Sequence, residues 1–161
     1  AAIAKLLSGL PADLAVPVVI VQHIDQQFAA GMADWLQQFS PWPVRIAADE
    51  SAATEQGLLN VLAAGAADVV VLKPAALGGP ARALELAAQV RRAGSGVVFT
   101  HMFESAIGAR HVLHCAAAWG DPQSVHGLQS AGLFTVDAAE PVAARDGWAE
   151  VPDAPGLGVS P

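Results

Sequence analysis

Short β-branched runs alternate with stretches of helical periodicity along this chain, and that alternation constrains the fold more than any other feature. The runs are "PVVIVQHI" (17–24), "PVRIAAD" (43–49), "DVVVLK" (68–73), "GVVFTHM" (96–102) and the shorter "SVHGL" (124–128). Most are continuously apolar, which predicts strands covered on both faces. Helices are expected between them. One covers residues 2–10, and another covers 25–39 with Asp25 as its N-cap. A third is capped by Ser51 and stopped by Gly65, and a fourth opens on Pro80 and ends at Gly94. A fifth spans 105–119 and stops at Gly120. Strand followed by helix, repeated, implies right-handed crossovers and a mostly parallel sheet. The expected fold class is α/β. About five mostly parallel strands from successive βα units would form a half-barrel-like or flavodoxin-like sheet.

The 161 residues suit one domain, and 53% hydrophobic against 14% charged residues is enough to bury a core. The tail from 138 is rich in Pro, Gly, Asp and Ala and has no period, so it reads as a surface strap or as disorder. A net charge of −7 with no basic run argues against nucleic acid or a membrane surface as partner. One cysteine, Cys115, excludes an internal disulfide and fits a reducing, cytoplasmic compartment. No apolar stretch has the length of a membrane span, and no signal peptide is expected.

In α/β sheets, ligands bind at the C-terminal ends of the strands. Lys73 stands there, as do Asp49 and its neighbour Glu50. On residue types alone, Lys73 is expected to pair with Asp49 or Glu50 across neighbouring strands or to reach solvent. His111, His114 and Cys115 share one helix, with His101 at a strand end nearby. Such a group lacks the second ligand cluster that zinc needs, and a packed or solvated role is expected. Gly78–Gly79 ahead of Pro80 reads as a turn, though its N–H groups also suit an anion at a helix N-terminus.

Two resemblances accompany this reading. "AADES", "AAGAADVVVLKPAALGG", "VVFTHMFESAIGARHVLH", "HGLQSAGLFTVD" and "PGLGV" stand in order from about residue 47. Together they resemble the enolase superfamily, in its mandelate racemase and muconate cycloisomerase branch, especially o-succinylbenzoate synthases. The resemblance implies the last four βα units of a (β/α)8 barrel. It implies a Mg²⁺-binding role for Asp49, an acid/base or cationic stabilising role for Lys73, and a substrate-facing loop carrying Glu104, Ser105 and Gly108. Residues 1 to about 46 contain "LLSGLPADLAVPVVIVQHIDQQFAAGMADWLQQFSPWPVRIA" and resemble the catalytic domain of chemotaxis protein-glutamate methylesterases. That family uses a Ser-His-Asp triad, and His23 matches its histidine. The family's serine lies in a turn ahead of the first helix, and its aspartate lies far downstream. Neither has a counterpart here; Ser40 and Ser51 fall at ordinary loop and cap positions.

The seam falls within 43–49, and three expectations follow. The chain is a recombined or engineered chimera in a single α/β domain: 1–46, 47–137 and the tail 138–161. It has no native catalysis, with Lys73, His23 and Glu104 as vestigial candidates and no cofactor beyond weak Mg²⁺ at Asp49. Residual Mg²⁺-dependent acid/base chemistry and an interaction module from the methylesterase end are the alternatives. The chain also self-associates. Strands in the order 1-2-3-4-5 leave one face bare, lined by Val19, Val21, Ala47, Val69, Val71, Val97 and Phe99. A reordered 2-1-3-4-5 sheet would cover that face in a monomer.

Overall fold

The computed structural model describes residues 2–15, 18–22, 24–121, 124–129 and 134–159. The chain divides into two compact units, Ala1–Ala47 and Ala48–Pro161. The boundary lies inside the strand where the two resemblances meet. No helix among the described residues is long and apolar enough to cross a membrane.

The first unit holds two helices, α1 (Ala2–Gly9) and α2 (Gln26–Gln37). Asp25 caps α2, its carboxylate accepting from Gln27 N at 3.1 Å. Ala4 and Leu7 of α1 bury with Leu36 of α2, and Ile3, Met32 and Val44 pack around them. The Gln37 amide ties down the chain after α2, accepting from Val44 N at 2.8 Å and donating to Trp42 O at 3.0 Å. The expected strand at 17–24 does not form over its described residues, 18–22 and 24. They are exposed, Val19 at 83% and Val21 at 85%. β-branched residues favour an extended backbone, but only a neighbouring backbone makes a strand. Val19 and Val21 therefore line no covered sheet face.

β1 (Ala47–Ala48) spans the boundary, and the second unit runs on from it into a 3₁₀ turn (Glu50–Ala52). It continues as α3 (Glu55–Ala64), β2 (Val69–Leu72), α4 (Pro80–Arg92), β3 (Gly96–Phe99) and α5 (Ala106–Trp119). The strands stand in the order β1-β2-β3, which follows the chain as in a barrel. β2 and β3 are parallel, with Val70 opposite Val97 and Leu72 opposite Phe99. This is an α/β fold with parallel strands. The run 43–49 narrows to the two residues of β1, and "SVHGL" is reduced to a parallel bridge between Thr100 and Gly127.

Register sorts the side chains differently from the expected list. Val70, Leu72, Val97 and Phe99 share one face and are buried in the core with Leu58, Leu86, Val90 and Val112. Val69, Val71 and Val98 lie on the other face. The expected bare face mixed the two sets. Side chains alternate along a strand, so a list that pairs Val69 with Val97 is one residue out of register.

Helix ends follow local chemistry. Thr54, rather than Ser51, caps α3, its hydroxyl accepting from Gly57 N at 3.1 Å. Ser51 is already inside the 3₁₀ turn. Gly65 closes α3 in the left-handed conformation, as expected, and Gly120 does so for α5. The tail is a strap. Val142 is buried with Ala109 and Leu113 of α5. A hairpin of β4 (Ala144–Arg145) and β5 (Trp148–Ala149) follows, turning on Asp146 and Gly147 at positive φ.

Candidate functional site at the strand mouths

Lys73 directly follows β2, and Asp49 directly follows β1, so adjacent strands deliver their side chains to one end of the sheet. Lys73 Nζ lies 2.6 Å from Asp49 Oδ1. The lysine side chain is 17% exposed and the carboxylate 52%. The pairing expected from residue types alone is thus present. A tight turn then carries the chain away: Leu77 N donates to Lys73 O at 3.2 Å, and Gly79 N donates to Pro74 O at 2.8 Å. Gly78 and Gly79 hold φ of +92° and +106°, which side-chain-bearing residues rarely adopt. Pro80 then starts α4.

A second group of candidates follows β3. Glu104 Oε1 accepts from Met102 N at 3.4 Å. Gly108 lets Glu104 fold back over α5, because a Cβ at Gly108 would stand 2.7 Å from Glu104 Cβ. Ser105 precedes α5, but its side chain makes no capping bond. Asp137 caps the helix instead, each carboxylate oxygen accepting from Ala106 N at 2.9 Å. No local signal identifies Asp137 in the sequence, because it closes a helix that begins 31 residues earlier.

Glu104 lines two cavities. One of about 390 Å³ runs past Asp137, Leu128, Phe134 and Val142. The other, about 340 Å³, lies between the N-terminal turns of α4 and α5 and reaches Pro74, Ser105, Gly108 and His111. Lys73 and Asp49 line neither. The candidates therefore fall into two places, an ion pair at the mouths of β1 and β2 and a glutamate between cavities beyond β3. His23 lies outside the described residues.

The expected packing role suits the helix histidines. His111 Nδ1 donates to Ile107 O at 3.1 Å, one helical turn back. His114 Nε2 is buried with no partner, as is His101 Nε2, while His101 Nδ1 contacts Met102 O. Burial pushes the Cys115 thiol up to about 11, which suits neither nucleophile nor metal ligand. No group of three His, Cys, Asp or Glu side chains able to hold a metal occurs among the described residues. For Mg²⁺ the fit is poor. The carboxylate that would bind it faces an ammonium, and a cation and Lys73 would compete for the same oxygen.

Known proteins match both ends of the chain. The 104-residue match to o-succinylbenzoate synthase of Mycobacterium ulcerans (strain Agy99) is 44% identical, covering 65% of this chain and 31% of that protein. Over 48 residues, the chain is 60% identical to protein-glutamate methylesterase/protein-glutamine glutaminase 1 of Cupriavidus pinatubonensis, covering 30% of this chain and 14% of that protein. The crystal structure of muconate cycloisomerase from Pseudomonas fluorescens superposes with a TM-score of 0.70 and 36% identity, over 85% of this chain and 37% of that one. The chain thus spans about a third of the length of the synthase and cycloisomerase relatives. The family "Enolase C-terminal domain-like" matches residues 23–161, reaching past the seam into the methylesterase-like segment. With its parallel sheet, lysine at the mouth of β2 and match over most of its length, this chain belongs to the enolase C-terminal domain-like family.

Proposed function

We propose that this chain is a recombined α/β protein that retains the strand-end lysine of an enolase-superfamily acid/base site but turns over no substrate. The observation that carries this reading is the Lys73–Asp49 ion pair at 2.6 Å. Proton abstraction beside a substrate carboxylate needs a base free to accept the proton and a cation to stabilise the charge that develops. Here the one carboxylate assigned to the cation is paired with the candidate base instead. Glu104, the other acidic candidate, lines cavities that exclude the pair.

The test is turnover. With or without millimolar Mg²⁺, neither o-succinylbenzoate synthase nor muconate cycloisomerase activity should rise above background, and methylesterase activity should be absent as well. Turnover abolished by Lys73→Ala or His23→Ala would overturn the reading.

A second reading is residual Mg²⁺-dependent acid/base chemistry, favoured by the position of Lys73 at the mouth of β2 and by the family match. Calorimetry separates the two: binding heat at millimolar Mg²⁺ that disappears in Asp49→Asn supports the second reading, and none supports the first. We also propose self-association, because Val69, Val71 and Val98 form an apolar sheet face that is only half-buried. A light-scattering mass of 16.4 kDa at micromolar concentration would exclude it.

A further inference from the structure

Phe99 ends β3 and is fully buried, and its backbone N–H and C=O are both satisfied away from β2. Gly127 N donates to Phe99 O at 2.9 Å. Phe99 N donates to the Nδ1 of His126 at 3.1 Å. In an ordinary ladder that N–H would meet a strand carbonyl. Here an imidazole nitrogen takes the carbonyl's place, and its ring packs on Phe99 with centroids 5.8 Å apart. Thr100 Oγ1 donates to Gly127 O at 2.9 Å and completes the attachment. A Cβ at Gly127 would stand 2.7 Å from Thr100 Oγ1, so only glycine permits this approach. The next residue, Leu128, packs against the main core and against the Ala109–Leu113–Val142 cluster, and forms part of the wall of the 390 Å³ cavity.

An imidazole nitrogen accepts a hydrogen bond only while it carries no proton, so neutral His126 holds its proton on Nε2. A proton on Nδ1 would set two donors against each other and strand a buried N–H. We propose that His126 is a proton-operated latch: protonating its Nδ1 releases residues 124–129 from the edge of β3, and with them the Leu128 wall of the cavity beside Glu104 and Asp137. Two charged groups bear on it. Asp121 favours the protonated ring, and its carboxylate accepts from Ser124 Oγ at 2.8 Å at the start of the same segment. Arg91 lies over Trp119, whose ring meets Phe99 edge-on, and places a positive charge on the far side of that stack.

Burial holds the His126 pKa below its usual 6.5, and Asp121 partly offsets this. The released state therefore binds more protons than the latched one. The latch is fully formed above about pH 6.5 and loosens as pH falls through and below it.

Amide hydrogen exchange by NMR between pH 8 and pH 5 tests the proposal. Protection at Phe99 and Gly127, corrected for intrinsic exchange, should fall together below pH 6.5, by up to about tenfold per pH unit for one proton. Amides of β2 should hold their protection. His126→Asn places an amide oxygen where Nδ1 stood and cannot titrate, so its Phe99 protection should not respond to pH. Asp121→Asn removes the charge that favours the protonated ring, so the His126 ring signals should titrate at lower pH. Protection that is flat with pH in the native protein, or unchanged pH dependence in His126→Asn, would overturn the latch. Should that variant fail to fold, the native protein still decides: His126 ring signals and the Phe99 amide must share one midpoint, and separate midpoints refute the proposal.

Discussion

The two units of this chain use similar sequence patterns and reach different results. In the second, β2 and β3 pair in register, and Val70, Leu72, Val97 and Phe99 meet helices that bury them to 2% exposure or less. In the first, "VVIVQ" is as apolar and β-branched as "DVVVL", yet Val19 and Val21 stand bare. Among the described residues, the buried cluster of that unit is three residues, Ala4, Leu7 and Leu36. The difference lies in partners rather than in propensity. β2 and β3 complete each other's hydrogen bonds and have helices to cover one face, whereas Val19 and Val21 belong to no strand among the described residues.

Core truncation should expose this contrast most strongly. Phe99→Ala removes a fully buried ring from the centre of the second unit, and a loss of about 3–5 kcal/mol is expected. Urea denaturation followed by far-UV circular dichroism measures it, and a loss under 1 kcal/mol would mean the sheet is not the stable centre. Leu36→Ala in the first unit should cost about 2 kcal/mol, at the low end for leucine, because its half-exposed neighbours can close over the gap. Its effect should appear in α1 and α2 alone. An equal shift in the melt of the second unit would show that the two units unfold as one.

Caps give a finer comparison. Thr54→Ala and Asp25→Ala each remove one capping bond, each worth about 1 kcal/mol. Only the first should lower the main transition. Cys115 offers a chemical readout of the second unit. Its thiol is 1% exposed, and its pKa is raised to about 11. Iodoacetamide at pH 8 should leave it unmodified in the folded protein and alkylate it readily in urea; rapid labelling without denaturant would refute a closed core. Unfolding restores a pKa near 9.0, so the folded state holds the proton more tightly. Stability from this group is intact below about pH 9 and declines as pH rises toward 11. The smallest effect is expected for Arg82→Ala. Arg82 joins Glu55 and Glu85 at the surface, where salt and water screen the pairs, and the change in melting temperature should shrink further in 1 M salt.

Local chemistry was the most legible part of this protein. Asp25, Gly65, Pro80 and Gly120 mark helix ends because their side chains, or the lack of one, act within a few residues. The parallel β2–β3 pair was legible because apolar runs separated by a helical period admit one economical arrangement. The Lys73–Asp49 pairing followed from two charges at the ends of adjacent strands. Tertiary structure decided what depends on a distant backbone. It left Val19 and Val21 outside any strand, sorted Val69 from Val97, and gave the cap of α5 to Asp137 rather than Ser105. It also made His126 the acceptor for Phe99 N across 27 residues of chain. Sequence pattern sets which residues seek burial or a hydrogen bond, but which partner meets each of them is a property of three-dimensional packing.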